Sequence, residues 1–73
     1  RTLKYGMQGD DVKQFQIYLN NHGYTISLTG VGSKGYETNF FGSLTKQAVI
    51  KFQKSNNLTA DGIVGPATKN FIR

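Results

Sequence analysis

Val12-Lys13-Gln14-Phe15-Gln16 returns as Val49-Ile50-Lys51-Phe52-Gln53, with an asparagine four residues beyond each glutamine, at Asn20 and Asn57. Each copy sets two apolar side chains three residues apart, so both fall on one face of a helix. A second phrase, Phe41-Gly42-Ser43-Leu44-Thr45-Lys46, returns as Val64-Gly65-Pro66-Ala67-Thr68-Lys69. It ends an extended segment and opens a helix. Together the phrases describe a small helical unit with approximate internal duplication and no evident room for catalytic machinery, which points to a module that binds.

Length and composition narrow the chemistry further. The chain has 73 residues, enough for one domain, and a single core at this size supplies only about 3–5 kcal/mol. There is no cysteine, one histidine (His22) and four carboxylates (Asp10, Asp11, Glu37, Asp61). Neither a disulfide framework nor a zinc centre is expected from that set, and no cofactor is implied. Stability must come from packing, with the five phenylalanines as the main material. Truncating one buried Phe would cost about 3–5 kcal/mol, so most aromatics are read first as core.

Nine Lys and Arg against four acids give a net charge of +5. Such a balance favours anionic partners in general without choosing among them. The basic residues are scattered and form no recognition helix, which argues against nucleic acid and for a solvated surface. The longest unbroken apolar runs are two or three residues, so no membrane span is expected, and no stretch reads as a signal peptide. The chain begins at Arg1 rather than at a methionine. It is expected to be a piece of a longer protein, in which case the lack of a leader says nothing of compartment.

Residues 1–9 read as an extended lead-in with Leu3 tucked onto the core. Asp10-Asp11 open a first helix over 10–21, where they suit the positive end of the dipole and one can cap free amides. Val12, Phe15 and Leu19 form its apolar stripe. Asn20-Asn21-His22-Gly23 end it, with Gly23 in a left-handed conformation. Residues 24–29 carry a weak alternating signal, either a strand or an extended connection. Residues 30–37 are a glycine-rich surface loop. A second helix is predicted over 43–55, burying Leu44, Ala48, Val49 and Phe52. The Asp61-Gly62 turn follows, and Pro66, at a first helical position, opens a last helix over 66–72 presenting Ala67, Phe71 and Ile72. The expected architecture is all-α: a small three-helix bundle with extended connecting loops.

Several formal motifs fail on context. Gly30-Val31-Gly32-Ser33-Lys34-Gly35 matches G-x-G-x-x-G, but no buried strand precedes it, no helix opens on it, and the chain is too short for a doubly wound sheet. Asn57-Leu58-Thr59 is a glycosylation triplet of a kind frequent by chance. His22 beside Gly23 fits a helix end, Asp61 before Gly62 fits a turn, and no nucleophile or acid–base pair surrounds either. Gln16 and Gln53, each following a core Phe, are expected to bond loop backbone. Thr45 and Thr68 are expected to close the first turns of their helices. Tyr5, Tyr18, Tyr24, Tyr36, Phe40 and Phe41 exceed what so small a core can bury. Tyr24 and one of Phe40 and Phe41 are assigned to the core, and Tyr36 to an exposed position open to ligand stacking.

Taken in order, Leu3-x-x-Gly6-x-x-Gly9-Asp10-Asp11-Val12-x-x-Phe15-Gln16-x-x-Leu19, then Gly23-Tyr24, then Phe41-Gly42-x-x-Thr45-x-x-Ala48-Val49-x-x-Phe52-Gln53, then Leu58-x-x-Asp61-Gly62-Ile63-Val64-Gly65-Pro66-x-Thr68 resemble the peptidoglycan-binding domain family. Its members are small three-helix modules attached to bacterial cell-wall enzymes. The resemblance covers nearly the whole chain and departs at 29–39, where many members pass almost directly from Gly-Tyr to Phe-Gly. Matrix metalloprotease prodomains resemble the same fold, but their inhibitory switch needs a zinc-binding cysteine that this chain lacks.

The resemblance implies a single non-catalytic module over 1–73 that binds peptidoglycan, by stem peptide or glycan. It would hold an attached amidase, carboxypeptidase, glycosidase or transpeptidase domain on the wall, outside the cytoplasm and as a monomer. The expected site is a shallow groove between the second and third helices, formed by Gly42, Ser43, Thr45, Asp61, Gly62 and Ile63, with Tyr36 and Phe40 as aromatic walls. Backbone amides at Gly42 and Gly65 would donate to stem-peptide carboxylates, and Asp61 would accept from ligand amides. The rival class is a structural or protein-interaction domain of the same fold.

Overall fold

A computed structural model describes residues 2–71. Its three helices are α1 (Asp10–Asn21), α2 (Ser43–Ser55) and α3 (Pro66–Phe71). Among the described residues there is no strand, and 24–29 form an irregular connection that bends at Ile26, Leu28 and Thr29. The lead-in makes two isolated antiparallel bridges, Leu3 with Val64 and Gln8 with Phe40. It thereby straps the segments that enter α2 and α3. Ile72, expected at the end of the last helix, lies outside the described residues.

The core is a thin layer on which α1 and α2 lay their apolar stripes: Val12, Phe15 and Leu19 from one, Ala48, Val49 and Phe52 from the other. Phe52, 1% exposed, makes T-shaped contacts with four rings, those of Phe15, Tyr18, Tyr24 and Phe71, at centroid distances of 5.2–6.2 Å. Edge-to-face contacts of this kind add to simple burial. Phe41 is fully buried and Phe40 is not, so the core takes one of that pair, and Tyr24 packs against it.

The buried face of α2 differs from expectation by one residue. Leu44 is half exposed and Thr45 is buried. The stripe 45, 48, 49, 52 keeps helical spacing, and the Thr45 hydroxyl is held inward as acceptor of a 3.0 Å bond from Gln16 Nε2. In α3 likewise Thr68 is the buried residue, while Ala67 is exposed and Phe71 half exposed. The two threonines therefore do not close their own first turns; they receive the glutamines. At the start of α1 the N-cap is Gly9, and the Asp11 carboxylate accepts from the Val12 amide at 3.0 Å.

Both long helices end in the same hydrogen-bonded turn. Tyr24 N donates to Leu19 O across left-handed Gly23, and Leu58 N donates to Gln53 O across Asn57, whose φ is +60°. The turn comes seven residues after Gln16 but four after Gln53. Asn20 and Asn57 are thus not structural equivalents. Asn57 ends a helix; Asn20 sits inside α1 and anchors the 29–39 segment. Asn20 Nδ2 donates to Gly32 O (3.0 Å) and Glu37 Oε2 (2.8 Å), and its Oδ1 accepts from Ile26 N. The Glu37 carboxylate also accepts from the Gly35 amide. The Asn20 bond foremost holds the Glu37 carboxyl below the ordinary carboxylate range; desolvation opposes it, and backbone amides and Lys13 add to the lowering.

Gln16 and Gln53 are each 1% exposed. Replacing Gln53 by Leu strands Ile63 O, Thr68 Oγ1 and the Gly62 amide, which it bonds at 2.9–3.1 Å. With about 1–3 kcal/mol per stranded buried group, Gln53→Leu should lower the urea-derived unfolding free energy by at least about 2 kcal/mol; an unchanged midpoint would contradict the role given to this side chain. Gly62→Ala should cost more than Gly30→Ala. Both glycines have positive φ, but a Cβ at 62 would lie 2.9 Å from Lys46 Cγ and one at 30 meets nothing. Because its folded pKa is lowered, Glu37 contributes stability in full above the ordinary carboxylate range, about 4.3. That contribution is lost as pH falls through the lower folded value. NMR shifts of residues 30–37 should therefore be flat from pH 8 to 5 and move only in more acid solution, and Glu37→Gln should abolish that movement.

Candidate functional site

The duplication seen in sequence becomes two copies of one hydrogen-bonded device. Gln16 Nε2 donates to Phe40 O (2.8 Å) and Thr45 Oγ1 (3.0 Å), and its Oε1 accepts from Thr38 N (2.8 Å). Gln53 Nε2 donates to Ile63 O (2.9 Å) and Thr68 Oγ1 (3.1 Å), and its Oε1 accepts from Gly62 N (3.0 Å). The carbonyl and threonine partners keep a 23-residue register, which sets Thr38, Phe40, Gly42, Ser43 and Thr45 against Asp61, Ile63, Gly65, Pro66 and Thr68. The amide donor shifts by one residue, from Thr38 to Gly62. Even the turn closures match, because Phe40 N donates to Thr38 Oγ1 and Ile63 N to Asp61 Oδ1. Each device fixes the loop that enters a helix, and each loop borders a surface cavity.

The cavity before α2 has a volume of about 310 Å³ and holds Phe40, Gly42, Ser43 and Thr45 of the expected site, with Tyr5, Val31 and Thr38 completing its wall. The cavity before α3, about 260 Å³, holds Asp61 and Ile63 beside Gly65, Pro66 and Thr68. Six of the eight expected residues therefore divide between two hollows, four in the first and two in the second. Gly62 is buried between them and Lys46, donating its amide to Gln53. Tyr36 is 69% exposed on the 30–37 loop and lines neither cavity.

Sequence reasoning missed Tyr5, Val31 and Thr38 and placed Leu44, another residue of this wall, in the core. Thr38 was findable from the 23-residue register that equates it with Asp61. Tyr5 reaches the cavity because Gly6 N donates to Phe41 O, a pairing across the chain that no local pattern announces.

The hollows differ in chemistry. No side chain charged at neutral pH lines the first; the second contains the Asp61 carboxylate, whose Oδ1 accepts from Gln53 Nε2 and Ile63 N. At the first, the initial helical bond of α2 runs from Lys46 N to Gly42 O, so the amides of Ser43, Leu44 and Thr45 have no helical acceptor. Phe40 lies against Gly42, where an added Cβ would approach its ring to 3.3 Å. His22 is remote from this chemistry: it is the C-cap of α1, stacked on Tyr18 at 4.0 Å with Nδ1 2.8 Å from Tyr18 O.

Comparison with known proteins bears on the family. The family model described as "Putative peptidoglycan binding domain" matches residues 8–72. The chain is 44% identical over 71 residues to the "Zinc D-Ala-D-Ala carboxypeptidase" of Streptomyces albus G, covering 97% of this chain and 26% of that protein. It is 40% identical over 70 residues to the "Probable N-acetylmuramoyl-L-alanine amidase" of Bacillus licheniformis, covering 96% of this chain and 18% of that protein. A crystal structure of a peptidoglycan-binding protein from Clostridioides difficile in complex with glutamine hydroxamate superposes with a TM-score of 0.77 at 40% identity, over 96% of this chain and 39% of that one. The chain therefore spans about a quarter or less of the two enzymes it resembles. With duplicated glutamine devices, three helices in the expected order and a family match over 65 of its residues, the chain belongs to the peptidoglycan-binding domain family.

Proposed function

We propose that the chain binds bacterial peptidoglycan without catalysing its breakdown, and that it acts as one module of a longer cell-wall protein outside the cytoplasm. The observation that carries this is the family match over nearly the whole chain, together with relatives that are named as enzymes and of which it spans only a small part. A weak docking site tethered to a catalytic domain raises that domain's effective concentration on a polymeric substrate without any tight contact. A monomer suffices for such a role. The net charge of +5 assists approach to anionic wall polymers and makes retention sensitive to salt.

The proposed binding surface comprises the two hollows and their rims. Phe40, and Tyr36 from the neighbouring loop, supply aromatic walls. Ser43 and the amides from Gly42 onward supply neutral donors to ligand oxygens, with Gly65 as their counterpart. Asp61 accepts from ligand amides, while Gly62, Ile63 and Thr45 fix the shape. A third hollow of about 410 Å³, lined by Leu3, Phe15, Tyr18 and Val64 between Asp11 and Lys69, is the feature that favours the rival protein-docking function.

Co-sedimentation with purified sacculi separates the two. The chain should pellet with sacculi, less so as salt is raised, and should not shift duplex DNA. Phe40→Ala and Asp61→Ala should each weaken retention by about tenfold, the equivalent of about 1.4 kcal/mol. Retention of both variants at the native level would remove those residues from the site. Failure of the native chain to pellet with sacculi of any type would transfer the function to the third hollow.

A further inference from the structure

The hollow before α2 stands apart from the other two in charge. The second contains Asp61 and the third Asp11 and Lys69, whereas the first is bounded by Tyr5, Val31, Phe40 and Leu44 around the hydroxyls of Thr38 and Ser43. Its apolar rim is open to solvent: Tyr5 is 59%, Val31 74%, Phe40 43% and Leu44 50% exposed. Solvent-facing aromatic and aliphatic groups gathered about neutral donors are the composition of a ligand site rather than of a solvated face.

One side of that rim exists because of the 29–39 segment. Between Gln16 and Thr38 the chain runs 22 residues, against 8 between Gln53 and Asp61. The extra length returns to α1 through Asn20, which bonds Gly32 O, Glu37 and Ile26 N. Gly32, at φ +92°, packs so closely on Ile26 that a Cβ would stand 3.2 Å from its side chain. Val31, next in sequence, is thereby held at the cavity mouth. The second hollow has no such wall.

We propose that this clamped loop is the specificity-determining wall of the first hollow, and that the uncharged cavity it completes takes the N-acetylated sugar rings of the glycan strand rather than the stem peptide. The assignment rests on the peptidoglycan-binding role proposed above. Stem peptides carry free amines beside their carboxylates, and an ammonium brought into a hollow that offers no anionic partner loses hydration without compensation. The N-acetylglucosamine ring of the strand carries no charge. Its C–H faces suit the Tyr5 and Phe40 rings, its acetamide methyl suits Val31 and Leu44, and its hydroxyl and carbonyl oxygens suit Ser43 Oγ and the unpaired first-turn amides of α2. Asn20 acts as a positioning residue for the wall.

Titration of the chain, followed by NMR, with three probes tests this: intact sacculus fragments, glycan strands stripped of peptide by an amidase, and free stem tetrapeptide. Stripped glycan should bind and shift the amides of Val31, Phe40 and Ser43, and tetrapeptide should leave them in place. Val31→Asp and Tyr5→Ala, both at exposed positions and so without effect on the melting temperature, should weaken glycan binding by about tenfold. Asn20→Ala should weaken glycan binding, and Asn20→Gln should not restore it, being one methylene too long. Binding of intact fragments with no response to stripped glycan, or shifts at Val31 and Ser43 caused by tetrapeptide, would overturn the sugar assignment and leave the binding role standing. Native glycan affinity in Val31→Asp would overturn the wall. No response to intact fragments at all would bring down the binding role itself and this inference with it.

Discussion

Two buried glutamines hold this protein together where its helices cannot. Loops that enter helices carry backbone donors and acceptors with no ladder to satisfy them, and in so small a domain those loops must still be partly buried. Gln16 and Gln53 each offer an acceptor and a two-proton donor from a rigid helix, and each bonds two backbone groups and one threonine hydroxyl of the loop it faces. Gln53 shares its donors with Asp61 as well. The amide is the side chain suited to this. A carboxylate would lack the donors, and a leucine would lack everything but volume. Among the described residues no buried side-chain polar atom is left without a partner, so the devices close their accounts inside the protein.

Because the loops are fixed from behind, their outer faces are free to vary. The same scaffold presents Thr38, Phe40 and Ser43 in one copy and Asp61, Ile63 and Pro66 in the other. One hollow is neutral and rimmed by aromatics, the other smaller and acidic. The added length in the first copy changes one wall without touching the glutamine behind it. Asn20, an internal residue of α1, takes over the anchoring of that wall, while its sequence counterpart Asn57 merely ends a helix.

Much of this is legible in the amino-acid sequence, for identifiable reasons. The helical spans of α1 and α2 follow from apolar spacing and from Gly23 and Asn57 as stops, all local signals. The glutamines were expected to bond loop backbone because a polar group beside a buried Phe has few other choices. Leu44 misled, since hydrophobicity alone assigns it to the core; the inward pull on Thr45 comes from Gln16, 29 residues away in sequence. Tyr5 and Val31 escaped notice for the same reason. Their place beside Gly42 depends on the Gly6–Phe41 bond and on the Asn20 clamp, pairings across the chain that periodicity does not encode. The expected groove gathered residues from both copies because the motif repeats in sequence, and the repetition itself builds two hollows.

The amide protons of Thr38 and Gly62 test the central claim most directly, since each lies in a loop and donates to a glutamine Oε1. If the glutamines are what hold these loops, both protons should exchange with solvent as slowly as core amides of α2 such as Phe52, opening only when the whole domain unfolds. Exchange of Thr38 and Gly62 at the rate of an unprotected loop, with Phe52 still protected, would show that the loops stand without them.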